Sequence, residues 1–171
     1  MSLSQFLQSE GHRQVPLTRN GAGHFVTGGM LAGRPVRVLI DTGAGATVVN
    51  LPLARELGLG LTSEGHTGGG AGGNNLETFK LENASLTLDH VVPHRKAFYA
   101  MDLSHVNAAL AVKRAEPVDV ILGADVFERQ AAVIDYGSSS LFLKVADPCG
   151  KSPSQPGRRR NNVVGFNLGF T

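Results

Sequence analysis

The sequence feature that most constrains the fold is an apolar run that ends in an acidic turn. Residues 36–40, VRVLI, are rich in the branched side chains that favour β-strands. The run ends at Asp41, which is followed by Thr42 and Gly43. Gly43 permits a sharp turn, and the Thr42 hydroxyl can bond to nearby backbone. A rigid strand followed by such a turn holds a carboxylate in a defined direction, although the tripeptide alone favours an Asp that only caps a turn.

Glycine content and the lengths of the apolar runs predict a mainly β protein. The chain has 22 glycines in 171 residues, well above the average usage of roughly 7%. Glycine at this level favours tight turns and loops over long helices. The apolar runs are short and separated by turn residues, so we predict many short strands with one or two short helices.

Several local elements are predicted from turn and capping residues. Residues 23–43 are expected to form a β-hairpin that turns at Ala32–Pro35, and residues 46–50 another strand. A short helix follows, with Asn50 as its N-cap, Pro52 in its first turn and Gly58 as its C-cap. Residues 118–130 are predicted to be a strand, a glycine break and a helix, and residues 131–145 a second hairpin. The pattern over residues 104–116 is ambiguous.

The domain is expected to span residues 14–147, between a loose N-terminal segment, 1–13, and a poorly ordered tail, 148–171, rich in Pro, Gly and Arg. The single cysteine, Cys149, allows no intramolecular disulfide. No stretch has the N-terminal pattern of a signal peptide or the ~20 apolar residues of a membrane span. We therefore expect a cytoplasmic protein that does not associate with membranes.

Charge and histidine spacing argue against two other functional classes. The net charge of +2 is small, and the basic cluster at Arg158–Arg160 has no interleaved aromatic residues, so a nucleic-acid partner is not expected. His90 and His94 are four residues apart, but Pro93 disfavours a helix that would present both to one ion. We predict neither a metal site nor a cofactor.

Two motifs, in order and at suitable spacing, resemble those of the retropepsin-like aspartic proteases. The first is VRVLI with Asp41-Thr42-Gly43 and the following AGATVVN, and the second is VDVILGADVF at residues 118–127. The resemblance spans about residues 23–145. It implies a single acid-protease lobe with a closed β-barrel, with Asp41 catalytic and its turn supported by Thr42, Gly43 and Ala44. It also implies that the strand at Ile121, Leu122 and Gly123 passes close to that turn.

Family resemblance implies an endopeptidase that acts on extended polypeptides without a metal or cofactor. Such enzymes use two carboxylates that share one proton to activate water. A possible second carboxylate is Asp135, in AVIDYGSS. However, Tyr136 replaces the small hydroxyl residue, and the spacing from Asp41 is too short for two complete lobes. Asp135 is therefore expected to cap a hairpin, Asp125 to cap the helix after Gly123, and Asp119 to end a strand.

The expected second carboxylate comes from another copy of the chain. Resemblance to single-lobe enzymes implies a homodimer in which Asp41 and its copy meet across a two-fold axis, with Thr42 interlocking there. An alternative is a catalytically silent dimerisation or peptide-binding module, against which the intact Asp-Thr-Gly argues.

A glycine-rich segment after the first helix is a candidate flap over the substrate. Residues 62–75 contain six glycines, which fits either a lid that orders on binding or a plain connector. The candidate flap residues are His66, Thr67, Gly68, Gly69, Gly70, Ala71, Gly72 and Gly73.

Overall fold

The computed structural model describes residues 1–70, 73–95 and 97–145. The predicted tail, 148–171, and the candidate flap residues Ala71 and Gly72 lie outside the described residues. The strands are β1 (His12–Pro16), β2 (Thr18–Arg19), β3 (Phe25–Leu31), β4 (Arg34–Ile40), β5 (Val48–Asn50), β6 (Gly60–Gly70), β7 (Gly73–Glu82), β8 (Leu86–Thr87), β9 (Phe98–Met101), β10 (Val120–Leu122), β11 (Val133–Asp135) and β12 (Ser140–Lys144). The helices are α1 (Leu3–Ser9), α2 (Leu51–Glu56), α3 (Ser104–Val112) and α4 (Ala124–Arg129).

The predicted mainly β architecture is confirmed. Within the described residues, nine strands form one sheet in which the order along the main path is β2-β3-β4-β10-β5-β9-β7-β6, with β8 paired to β3. Three more strands form a second sheet in the order β1-β12-β11. The described part of the chain has four helices, of six to nine residues, rather than one or two.

The strand that leads to Asp41 lies inside the large sheet. β10 is inserted between β4 and β5, parallel to β4 and antiparallel to β5. Leu122 is paired with Ile40, so both strands end at the same level of the sheet. The end of β10 is therefore beside Asp41, as the resemblance implied.

Apolar side chains on both faces of these central strands are buried, which explains the near-continuous apolar runs. Along β4, Val38 and Ile40 belong to one core cluster, whereas Leu39 belongs to the other. On β10, Ile121 packs on the opposite side from its neighbour Leu122. Burial on two sides holds β4 rigidly up to the residue before Asp41.

Predicted hairpins and strands are present where the turn residues placed them. β3 and β4 pair from Val26–Leu39 to Leu31–Arg34, and β11 and β12 pair around the turn after Asp135. β10, Gly123 and α4 follow the predicted order of strand, glycine break and helix.

Helix α2 begins where it was predicted, but the role of its cap differs. Asn50 is the N-cap, yet its side chain makes no capping hydrogen bond. Its Oδ1 instead accepts from the Leu103 N–H at 3.2 Å, which ties α2 to the loop before α3. The C-cap is Leu57, and Gly58 follows it with φ of +64°. Gly58 is thus the left-handed residue that follows the C-cap, rather than the C-cap itself.

Helices α1 and α3 were not predicted as such. The Ser2 hydroxyl accepts from the Gln5 N–H at 3.2 Å, and the Gln5 side chain accepts from the Ser2 N–H at 2.8 Å. This capping box compensates for the short length of α1. Because Leu7 is buried, α1 also packs against the domain.

The glycine-rich segment forms a hairpin through its described residues. β6 and β7 pair antiparallel from Gly60–Glu82 to Gly70–Gly73, with register shifts between Ser63 and Thr67 and between Gly68 and Gly70. Backbone pairing therefore extends through most of the predicted flap. Whether the hairpin covers a substrate stays a prediction.

Candidate active site

Asp41 is the first residue after β4, and backbone hydrogen bonds hold it in position. Its N–H donates to the Leu122 carbonyl at 3.1 Å, which extends the β4–β10 pairing by one residue. Its Oδ1 accepts from the Gly43 N–H at 2.8 Å. The Ala44 N–H donates to the Asp41 carbonyl at 3.3 Å. The turn is therefore closed on Asp41 by both its backbone and its side chain.

Exposure of the turn suits a reactive carboxylate. Asp41 is half-buried, Thr42 and Gly43 are exposed, and Ala44 is only 1% exposed. Ala44 thus anchors the turn in the core, and its two predecessors are on the surface. Among the residues that the structure describes, the Asp41 carboxylate has the single hydrogen bond from Gly43. That bond orients the group and leaves further acceptor positions for water or substrate.

Gly123 lies directly against the turn at Asp41. The Ala124 N–H donates to the Ala44 carbonyl at 2.7 Å. A Cβ on Gly123 would lie 2.7 Å from that carbonyl oxygen and 2.6 Å from the Ala46 carbonyl oxygen. These separations are too short for any side chain. The glycine in Ile121-Leu122-Gly123 is therefore required for the backbone of β10 and α4 to approach the turn.

A buried threonine links the turn to helix α4. Thr47 is 0% exposed, and its hydroxyl accepts from the Gly123 N–H at 3.2 Å and donates to Asp125 Oδ1 at 2.8 Å. Gly123, between β10 and α4, and Asp125, in the first turn of α4, are thus both bonded to the segment that follows Asp41. Thr47 was not predicted to be a site residue, although a hydroxyl residue inside the apolar run ATVV was the available signal.

The prediction that Asp125 caps α4 is wrong. The N-cap is Gly123, and α4 has no side-chain capping hydrogen bond. Asp125 lies inside the first turn, where its carboxylate accepts from the Thr47 hydroxyl. A buried hydroxyl needs a hydrogen-bond acceptor, and the carboxylate at the positive end of the helix supplies it. This partner is 78 residues away along the chain and so was not visible in the sequence.

Asp135 caps its own turn, as expected. It is in the three-stranded sheet, whereas Asp41 follows a strand of the nine-stranded one. Its Oδ1 accepts from the Gly137 N–H at 2.9 Å, and its Oδ2 from the Ser138 hydroxyl at 2.6 Å. These bonds, the Ser138 hydroxyl first, lower the pKa of Asp135. Both of its oxygens are therefore engaged within the hairpin.

Asp119 ends the loop before β10, in agreement with the sequence. Its Oδ2 accepts from the Arg37 N–H at 2.8 Å, and its own N–H donates to the Arg37 carbonyl at 2.9 Å. Asp119 therefore sets the start of the β10–β4 pairing, at the opposite end of these strands from Asp41.

Within the described parts of the chain, no three His, Cys, Asp or Glu side chains are grouped so that they could hold a metal ion. No helix in these parts of the chain combines the length and the apolar character needed to cross a membrane.

Solved structures of proteases and of a protease-like domain are similar to this chain. The retroviral protease-like domain of Ddi1 from Leishmania major is 17% identical, with 69% of this chain and 86% of that one covered and a TM-score of 0.49. A retropepsin-like aspartic protease from Rickettsia conorii is 19% identical, with 78% and 89% covered and a TM-score of 0.47. EIAV protease complexed with the inhibitor HBY-793 is 25% identical, with 60% and 84% covered and a TM-score of 0.43.

A search of the curated proteins finds no match. The family model described as aspartyl protease matches residues 27–126, which include Asp41, its turn and the strand at Ile121, Leu122 and Gly123. The resemblance predicted from these motifs is thereby confirmed. Because the match covers more than half of the chain, this protein belongs to the aspartyl protease family.

Proposed function

We propose that this protein is an aspartic endopeptidase that hydrolyses peptide bonds in extended polypeptides. The observation that carries the proposal is the Asp41 carboxylate, half-buried at the end of a strand buried on both faces and oriented by the Gly43 N–H at 2.8 Å. Membership of the aspartyl protease family supports a hydrolase of this kind.

The reaction needs a second carboxylate, and we propose that a homodimer provides it. Asp135 lies in the other sheet with both carboxylate oxygens bonded within its own turn, and Asp119 lies at the opposite end of β4 and β10 from Asp41. We therefore propose a second copy of Asp41 for this role. In a two-fold dimer, Asp41 would face Asp41 of the partner subunit, because an isologous interface brings identical residues together at its axis. Thr42, exposed beside Asp41, would interlock at the same axis. We also propose that the lobe forms the closed β-barrel that the family resemblance implied.

The proposed hydrolysis depends on the two carboxylates lying close together. Two such groups about 3 Å apart share one proton, because ionising both would bring like charges together. The ionised carboxylate takes a proton from water, whose oxygen attacks the scissile carbonyl carbon. The protonated carboxyl donates to the carbonyl oxygen. The C–N bond then breaks as the nitrogen receives a proton, and the products are a carboxylate and an amine.

The β6–β7 hairpin is the proposed lid. A flap of this kind excludes water and holds an extended peptide by backbone hydrogen bonds. Antiparallel pairing of β6 and β7 up to Gly70 and Gly73 supports this role, since it provides a hairpin rather than a loose connector. The candidate flap residues from His66 to Gly73 occupy its far end.

A digestion experiment tests the activity. Wild type and Asp41→Asn are incubated side by side with a proteome-derived peptide library, and the products are identified by mass spectrometry. We expect cleavage by wild type alone, with Asp135→Asn as an active control because that carboxylate serves a hairpin. Equal cleavage by Asp41→Asn would contradict the assignment. If wild type cleaves nothing while it sediments as a dimer, the silent dimerisation module is favoured instead.

A mixing experiment tests the shared dyad. Inactive Asp41→Asn is added to wild type at equal concentration, with time for subunits to exchange. If both subunits supply one carboxylate, only pairs of wild-type subunits are active, and activity per wild-type chain falls to about half. Sedimentation of size-tagged subunits verifies that the subunits have exchanged. Unchanged activity after verified exchange would show that one Asp41 suffices.

A further inference from the structure

A cavity outside the turn at Asp41 has a basic lining. It has a volume of about 480 Å³, within the range of small-molecule sites. Its charged or titratable lining residues among those described are His94, Arg95 and Arg129, and no acidic side chain lines it. Apolar walls come from Leu81, Val92 and Phe98. Leu81 lies near the base of β7, but none of the described lining residues belongs to the turn at Asp41 or to the hairpin residues 66–73, so the inference does not rest on the proposed function.

Arg95 is the central charge of this cavity. Its guanidinium lies 3.4 Å from the centre of the Phe98 ring and donates to the carbonyl oxygens of Pro93 and Ala84. Two of its five N–H donors are thus used by backbone. Across the parts of the chain that are described, no carboxylate forms an ion pair with it. Burial lowers the pKa of Arg95, an effect that the more distant Asp125 opposes.

The wall that presents these groups is rigidly held. Gln130 is 1% exposed, and its Oε1 accepts from the His94 N–H at 2.7 Å. Its Nε2 donates to the carbonyl of Lys144 at 3.0 Å and to that of Val92 at 3.5 Å. One buried amide therefore fixes the loop at residues 92–94 against the end of α4 and against β12. The neighbouring Arg129, exposed at the last turn of α4, is the second cation at the rim.

From this geometry we infer that the cavity binds a small ligand with a carboxylate on an apolar body. The planar guanidinium of Arg95 matches a carboxylate with parallel N–H donors, and Arg129 adds charge at the mouth. The apolar walls exclude water from the body of the ligand. A free organic acid and the C-terminus of a peptide with an apolar last residue share this chemistry.

Titration calorimetry with purified full-length protein tests the site. The probes are hexanoate, N-acetyl-Ala-Leu with a free C-terminus, the amidated form of that dipeptide, hexanamide and inorganic phosphate. We expect hexanoate or the free dipeptide to bind with Kd of about 1 mM or tighter, and the amides at least tenfold more weakly. Tighter binding of hexanoate would identify a free acid as the ligand, and tighter binding of the dipeptide a peptide C-terminus.

Variants distinguish a built site from general attraction of anions. Arg129→Gln removes an exposed charge and is expected to weaken binding about tenfold. Arg13→Gln removes the same charge from an exposed position on β1 and should leave binding unchanged. Arg95→Lys keeps the charge but loses the planar fork, so it should also weaken binding. Equal losses in Arg129→Gln and Arg13→Gln, no binding of either carboxylate, or phosphate binding as tightly as both carboxylates would overturn the inference.

Discussion

Gly123 packs against the turn that carries the candidate catalytic carboxylate, and a Cβ at this position would lie 2.7 Å from the Ala44 carbonyl oxygen. The next residue, Ala124, donates its N–H to the same oxygen at 2.7 Å. Since Ala44 also donates to the Asp41 carbonyl, α4 acts on Asp41 through a single intervening residue, whereas β10 bonds to it directly through the Leu122 carbonyl. The position of the carboxylate therefore depends on a contact between backbones that are about eighty residues apart in the sequence.

Gly123→Ala is expected to destabilise the protein and to abolish proteolysis. The added methyl group would meet the carbonyl oxygens of Ala44 and Ala46 at 2.7 and 2.6 Å, and neither backbone can move without disturbing the turn. Overpacking of this kind costs about 1–3 kcal/mol or more. Chemical denaturation measures the free energy of unfolding, and the peptide-library digestion measures activity.

Gly28→Ala is the matched control for this change. Gly28 is in β3, and a Cβ there would meet nothing within 4 Å. The free energy of unfolding of Gly28→Ala should differ from that of wild type by about 0.5 kcal/mol or less. If Gly123→Ala were as mild as Gly28→Ala and remained active, close approach at Gly123 would have no bearing on the site.

Thr47→Val is expected to destabilise the protein by about 1–3 kcal/mol, because it leaves the Gly123 N–H without its acceptor and Asp125 without its donor. The two side chains are nearly equal in volume, so the loss reports on hydrogen bonds rather than on packing. Thr47→Ser retains the hydroxyl and should keep activity, at a smaller cost from the lost methyl group. Denaturant unfolding of both variants makes the comparison, and equal stability of Thr47→Val and wild type would show that the Gly123 and Asp125 bonds contribute nothing.

Asp135 makes stability dependent on pH in the acidic range. The Ser138 hydroxyl and the Gly137 N–H lower its pKa in the folded protein. A carboxyl with a lowered folded pKa contributes stability above its unfolded pKa, about 3.9, and loses it as the pH falls through the folded pKa. Wild type should therefore be more stable than Asp135→Ala near neutrality, and the difference should shrink below about pH 4.

Unfolding curves for these two proteins at a series of pH values measure that difference. Ser138→Ala should reduce the pH dependence without removing it, since Gly137 still donates to Asp135. A difference between wild type and Asp135→Ala that stayed constant from neutral to acidic pH would refute the lowered pKa.

Local elements of the site were predictable because their signals are adjacent in the sequence. The apolar run before Asp41, the turn residue Gly43 and the break at Gly123 each mark a boundary that the structure has. Helix α1 was missed because it lies in a mostly polar stretch, although the capping box of Ser2 and Gln5 and the helical spacing of Leu3, Phe6 and Leu7 were available signals. The role of Asp125 was misjudged for a different reason, since a capping preference is local and its partner Thr47 is remote.

The sequence by itself determined the family, the catalytic candidate Asp41 and the need for many short strands, because these depend on residue types and on spacing along the chain. Only the tertiary structure decided what surrounds the carboxylate. Insertion of β10 between β4 and β5 brings Gly123 onto the turn and Thr47 onto Asp125. The physical reason is that close packing of backbone and the satisfaction of buried polar groups are settled between distant segments, where no local pattern records the partner.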